Sequence, residues 1–295
     1  MRQMTMFAQR LCSMLGGTFF AGAFALTLVT TPSGASAFNL TTIEVPGATS
    51  TTAIGINAHG QIVGTFTDAG GAFHGFLLDG GSFTTIDPPG ATTGTEAGGI
   101  NAHGQIVGEF SDASGQHGYL LDEGTFTTID VPGATTTLAV TINNRGQIVG
   151  FYDDVSDTEH GFLLDKGVFT TIDVPGATRT TAFGVNARGQ IVGEYADVSD
   201  TVHGYLLEKG TFTTIDVPGA TFTAAFGINE RGQISGFYVD VSGTEHGLLL
   251  DKGGFTTIDV PGAIRTNALG INAPGQIVGF FTDADGTVHG FVATP

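Results

Sequence analysis

The chain is short of cysteine, of cations and of long apolar runs, and each shortage removes a class of protein. Its one cysteine, Cys12, falls within the first 37 residues. The rest of the chain therefore has no disulfide framework and no thiol nucleophile, and must be held by its core alone. Lysine and arginine total 10 against 28 aspartates and glutamates, for a formal charge of −18. Such a chain is repelled by nucleic acid and by anionic membranes, so neither is an expected partner. Past the N-terminal segment no apolar run is long enough to span a bilayer. G-x-S-x-G, H-E-x-x-H and glycine-rich phosphate motifs are missing, and so is any helical period outside that segment.

What the chain has in plenty is repetition. Pro46, Pro89, Pro132, Pro175, Pro218 and Pro261 stand 43 residues apart throughout. His74, His117, His160, His203, His246 and His289 keep the same interval. A fixed period of roughly 20–50 residues marks a repeat architecture. Before the first copy, residues 1–37 read as a secretory signal: Arg2 and Arg10 open it, Met14 to Val29 is apolar, and Ala35-Ser36-Ala37 supplies the cleavage pattern. Cleavage there leaves residues 38–295 as a single domain of 258 residues, six periods of 43. It also removes two arginines and makes the chain still more acidic. The expected location is outside the cytoplasm, secreted or periplasmic.

Each copy holds four short β-type segments. In the fourth they are Thr180–Asn186, Gln190–Tyr195, His203–Glu208 and Thr211–Val217. Asn186-Ala187-Arg188-Gly189 and Lys209-Gly210 are hairpin turns with glycine at positive φ, and Pro218-Gly219 suits a type II corner. Apolar residues run consecutively, as in Tyr205-Leu206-Leu207, which implies sheets buried on both faces. Four-stranded units of this length stacked about an axis make a β-propeller. The predicted fold is all-β: a six-bladed β-propeller with four antiparallel strands per blade. Phe38–Val45 matches a fourth strand and His289–Ala293 a third, so the N-terminal strand is expected to complete the last blade and close the ring.

The units HGFLLDKGVFTTIDVPGA and GINxxGQIVGxY resemble the HAF family of extracellular repeat proteins, with glycine where the family name has alanine. The resemblance covers everything after residue 37. It implies export and tandem β repeats, and it brings no activity and no catalytic residues.

Three sets of residues carry candidate chemistry. Each repeat histidine follows an acid by six positions (by five in Asp112–His117), and a structural cross-turn hydrogen bond is the expected use. The acid-rich loops with Asp153, Asp154 and Asp157, and with Asp283 and Asp285, offer carboxylates to calcium, the one candidate ion; ordinary turn chemistry is the competing account. No other cofactor is expected. Glu109 and Glu194 stand where other copies have Thr65, Phe151, Phe237 and Phe280, and two such carboxylates suit acid–base work.

A single small-ligand site should break the sixfold symmetry. The copies differ just past the Pro-Gly corner, at Glu96, Leu138, Arg179, Phe222, Arg265 and Asn267, and these are the candidate ligand residues. The same face carries the strand-end acids Glu44, Asp87, Asp130, Asp173, Asp216 and Asp259, opposed only by Arg179 and Arg265. That asymmetry favours cations or cationic partners there. The expected function is a monomeric, non-enzymatic binding or scaffold module for extracellular polysaccharide or protein. The alternatives are a lyase or hydrolase with its site at the channel mouth, and a calcium-stabilised surface protein.

Overall fold

In the computed structural model, which describes residues 38–295, every repeat folds as a four-stranded antiparallel meander. The segment read as a signal lies outside the described residues. After β1 (Asn39–Ile43), blade 1 comprises β2 (Ser50–Ile56), β3 (Ile62–Thr67), β4 (Phe73–Asp79) and β5 (Ser82–Ile86). Blade 2 comprises β6 (Gly94–Ile100), β7 (Ile106–Ser111), β8 (Gln116–Asp122) and β9 (Thr125–Ile129). Blade 3 follows with β10 (Thr136–Ile142), β11 (Ile148–Asp153), β12 (Glu159–Asp165) and β13 (Val168–Ile172). Blade 4 is β14 (Arg179–Val185), β15 (Ile191–Ala196), β16 (Val202–Glu208) and β17 (Thr211–Ile215). Blade 5 is β18 (Phe222–Ile228), β19 (Ile234–Val239), β20 (Glu245–Asp251) and β21 (Gly254–Ile258). The last blade holds β22 (Arg265–Ile271), β23 (Ile277–Thr282) and β24 (Val288–Thr294), and β1 supplies its fourth strand.

The turns do what their residues dictate. Lys209 and Gly210 adopt φ of 49° and 79°, the pair of positive values that a type I′ hairpin needs. Gly219 has φ 84°, and the Ala220 amide donates to the Val217 carbonyl at 3.0 Å, closing a type II corner. Between the two inner strands of blade 4 the ladder runs from Arg179↔Ala196 to Val185↔Ile191, with a bulge between Ala182 and Gly184. Glycine is required at position 193, because a Cβ there would sit 2.0 Å from the Thr181 carbonyl oxygen.

Blades pack face to face through apolar layers. Ile172 of blade 3, for example, packs with Ala182, Ile191 and Tyr205 of blade 4. Around the axis Phe183 and Phe226 stack with centroids 4.2 Å apart. With Ile54, Val140 and Leu269 they narrow the central channel to a cavity of about 60 Å³. The ring is closed as the strand phase predicted: β1 pairs with β24 from Asn39↔Thr294 to Ile43↔Gly290. That pairing removes two open sheet edges.

On the lower face, where the hairpins within β14–β15 and β16–β17 open, one asparagine per blade organises the turn and the ring together. Asn186 Oδ1 accepts from the Arg188 and Gln190 amides. Its Nδ2 donates to Gln190 Oε1 at 2.7 Å and to the Asn229 carbonyl of the next blade at 3.1 Å. The inter-blade bond recurs from Asn57 through Asn101, Asn143 and Asn229, and Asn272 returns it to the Asn57 carbonyl. The circle is complete. Its sequence signal is the asparagine of the N-x-x-G-Q turn that all six copies share.

Candidate functional site

The upper face carries the Pro-Gly corners and the loops between second and third strands, and each blade repeats one polar station there. His160, at the start of β12, lies between two carboxylates. Its Nδ1 meets Asp173 at 2.9 Å, and its Nε2 faces Asp154 at 3.7 Å. Its ring stacks on Tyr152 with centroids 5.2 Å apart. The cross-turn acid that sequence spacing indicated is thus the more distant partner; the nearer one is the strand-end acid. His74, His117, His203 and His246 repeat this, with Nδ1 at 2.9–3.0 Å and Nε2 at 3.4–3.7 Å. In the sixth, His289 bonds Glu44 through Nδ1 and Asp283 at 3.1 Å through Nε2. The six strand-end acids are therefore paired with histidines, and the arginines are not their counter-ions.

Two of the candidate calcium ligands, Asp154 and Asp283, are engaged with their own turns. Asp154 Oδ1 accepts from the Ser156 and Thr158 amides, and Asp283 Oδ1 from those of Asp285 and Thr287. These amides come first among the causes that hold Asp154 below the usual carboxylate range. Asp153 accepts from Thr136 Oγ1 at 2.6 Å, and Asp157 takes φ 58° within the turn. Among the described residues no group of three or more His, Cys, Asp or Glu is arranged to hold a metal.

The residues proposed as a common ligand pocket are distributed around the ring. Arg179 is half of an inter-blade seam: its guanidinium reaches Glu159 of blade 3 at 3.7 Å and Glu194 of its own blade at 3.3 Å. Arg265 repeats the pattern with Glu245 at 3.6 Å and lies over the Phe280 ring. Phe222 and Leu138 are buried in the large core cluster that also holds Val202 and Phe151. Asn267 is fully buried opposite Phe280, and neither its amide nitrogen nor its oxygen has a hydrogen-bond partner.

Glu96 is a separate case. It stands directly across the ladder from Glu109, both buried, and Gln116 donates to Glu109 at 3.0 Å. Burial and then the Glu109 charge push the Glu96 carboxyl well up. Glu194, buried as well, is pushed by desolvation to about 7 against the pull of Arg179. So the carboxylate pair in this structure is Glu96–Glu109, and Glu194 is paired with Arg179 instead. Spacing along the chain could not show this, because Glu96 and Glu109 meet only through the β6–β7 register.

This face also carries a concavity of ligand size. Between blades 1 and 2 a cleft of about 490 Å³ is lined by Phe73 and His74 from β4, Asp87 and Pro88 from the corner, and Gly94 and Thr95 from β6. Pockets of roughly 300–1,000 Å³ are the usual size for small ligands. By contrast the cavity inside the channel is lined by backbone, threonine and apolar side chains, with no titratable group among its described residues.

No protein-family model matches the chain, and no curated protein is similar to it in sequence. Solved structures are similar in fold. A fucose-recognising fungal lectin of Aleuria aurantia, itself described as a six-bladed β-propeller, has a TM-score of 0.50 at 14% identity, over 83% of this chain and 91% of the lectin. A gluconolactonase of Xanthomonas campestris has a TM-score of 0.53 at 13% identity, over 88% and 91%. TolB of Acinetobacter baumannii has 0.56 at 12% identity, over 85% of this chain and 65% of TolB. At these identities the likeness is one of architecture. The chain is a six-bladed β-propeller closed by its own N-terminal strand, with an inter-blade cleft of ligand size on its acidic face.

Proposed function

We propose that this protein is an exported, non-enzymatic β-propeller that binds extracellular polysaccharide, in keeping with the HAF-like repeats and the signal-like residues 1–37. The observation that carries the reading is the 490 Å³ cleft between blades 1 and 2, which sets an aromatic ring, a carboxylate and threonines around one opening. Sugars need this combination: an apolar face for their C–H groups and acceptors and donors for their hydroxyls. The lectin among the structural neighbours supports a glycan ligand on such a ring. A screen of the purified protein against neutral, acidic and amino polysaccharides tests the reading. Saturable retention on a neutral glycan, recovered unchanged, is the expected result; no retention, or degradation of the glycan, would overturn it.

A further inference from the structure

The constant 43-residue spacing conceals two compensating changes in blade 2. From β4 to β8 the starts are 43 residues apart, yet from β2 to β6 they are 44 apart and from β6 to β10 only 42. One residue has been added between the corner and β6, and one lost between β7 and β8. The added residue is Thr93: Thr92 donates to the Ser111 carbonyl as Thr178 does to Ala196, while Gly94 opens β6 as Arg179 opens β14. The insertion therefore falls on the wall of the cleft.

Two further departures coincide with it. The residue that opens the inner strand is Ser50, Thr136, Arg179, Phe222 or Arg265 in the other blades. Two of these reach across their seams to Glu159 and Glu245, and Phe222 packs in one cluster with Val202. Gly94 brings no side chain, and a Cβ there would lie 3.1 Å from that of Phe73. In the other five corners a valine amide caps the threonine that follows: Val45 to Thr51, Val131 to Thr137, Val174 to Thr180, Val217 to Thr223 and Val260 to Thr266, all at 3.0–3.2 Å. Blade 2 has Pro88 at that corner, which has no N–H to give. The Thr95 hydroxyl is buried and has no partner, in a residue 3% exposed that lines the cleft. A buried hydroxyl without a partner is costly and calls for an explanation.

We infer that the seam between blades 1 and 2 is a single sugar site per ring, selective for neutral or amino sugars over acidic ones, with Thr95 as its inner hydrogen-bonding group. The inference rests on the glycan-binding reading and specifies it. Phe73 supplies the apolar wall. Asp87 and Asp68 flank His74, so the cleft is negative whether or not that histidine is charged, and a uronate carboxylate is repelled. Turning Thr95 about its Cα–Cβ bond presents the hydroxyl to a ligand without breaking any existing bond, a rotamer change of the kind that accompanies binding. The other five threonines are capped and have no such freedom.

Calorimetry with methyl α-L-fucoside, methyl α-D-mannoside, D-glucosamine and D-glucuronate, on the wild type and on Thr95→Val and Thr180→Val, tests this. One site per chain is expected for a neutral or amino sugar, with no binding of glucuronate. Thr95→Val should weaken binding about tenfold without lowering Tm, because the lost hydroxyl had no partner. Thr180→Val should lower Tm by about 2–4 °C, because the Val174 amide loses its acceptor, and leave binding unchanged. A stoichiometry near six, equal binding of glucuronate, or wild-type affinity in Thr95→Val would overturn the single-site inference while leaving glycan binding standing. Failure of every sugar to bind would overturn the single-site inference, and the polysaccharide screen then decides separately whether glycan binding stands.

Discussion

His289, in the last strand of the chain, donates its Nδ1 proton to the carboxylate of Glu44, 245 residues earlier. In the other five blades the same bond joins residues 13 apart, as in His160 to Asp173. One local motif of the repeat thus becomes the latch that ties the two ends of the described chain together.

Removing residues 38–46 should open this latch. The deletion loses the β1–β24 ladder and the burial of Ile43 and Val45. Two such side chains contribute about 4 kcal/mol, so Tm should fall by roughly 10 °C in a circular-dichroism melt. An unchanged melt would refute closure by the first strand.

Stability should be greatest in a mildly acidic window. Desolvation works against a proton on His289, but its bonds to Glu44 and Asp283 hold its affinity above the ordinary histidine value. A raised histidine contributes fully below about pH 6.5 and loses its contribution as pH climbs through the folded value. The loop acids behave in the opposite way. The Thr158 amide holds Asp154 low and the Thr201 amide holds Asp197 low. Asp240 falls to about 2, because the Ser242 hydroxyl and the turn amides outweigh its desolvation. Their contribution is present above about pH 4 and fades as pH falls through the lowered values. A Tm-versus-pH profile should decline on both sides; Glu44→Gln should make the alkaline limb shallower and leave the acidic limb unchanged, while the raised carboxyls of Glu96 and Glu194 keep the rest of the alkaline decline.

Asn186→Ala should be among the most damaging changes on the lower face. It strips two amides of their acceptor and removes the donor to Gln190 and to the Asn229 carbonyl, all in a residue 2% exposed. A loss of about 2–4 kcal/mol, roughly 5–10 °C in Tm, is expected. Asn186→Asp should be at least as harmful, since a buried carboxylate would face that carbonyl. Urea unfolding measures both.

Glu96→Gln should stabilise the protein at neutral pH. The raised carboxyl of Glu96 costs stability once pH exceeds the unfolded value near 4.5, because the folded state must then keep a proton or bury a second charge beside Glu109. The gain in Tm for Glu96→Gln over wild type should be small at pH 4.5 and grow to pH 8. A gain that does not change with pH would show that the fold, through burial and the Glu109 charge, does not raise the Glu96 carboxyl.

What the sequence determined by itself is whatever a single repeat determines. Lys209-Gly210 and Pro218-Gly219 specify their turns because only certain residues accept those φ values, and consecutive apolar positions require sheets covered on both faces. The 43-residue count and the strand phase at Phe38 and His289 then leave one way to close the ring. What the tertiary structure decided is which side chains meet across a ladder or a seam. His160 takes Asp173 in preference to Asp154 because strand pairing brings the first closer than the turn brings the second. Glu96 meets Glu109 through register, while Arg179, Phe222 and Arg265 spend their side chains on separate seams or in the core. The added Thr93 was hidden because a deletion between β7 and β8, which shows in the sequence only as the shorter Asp112–His117 spacing, restored the count. Gly94 and Pro88 matter only through what is missing beside them, a side chain and an N–H, and such gaps acquire meaning only when the neighbouring blade is in place.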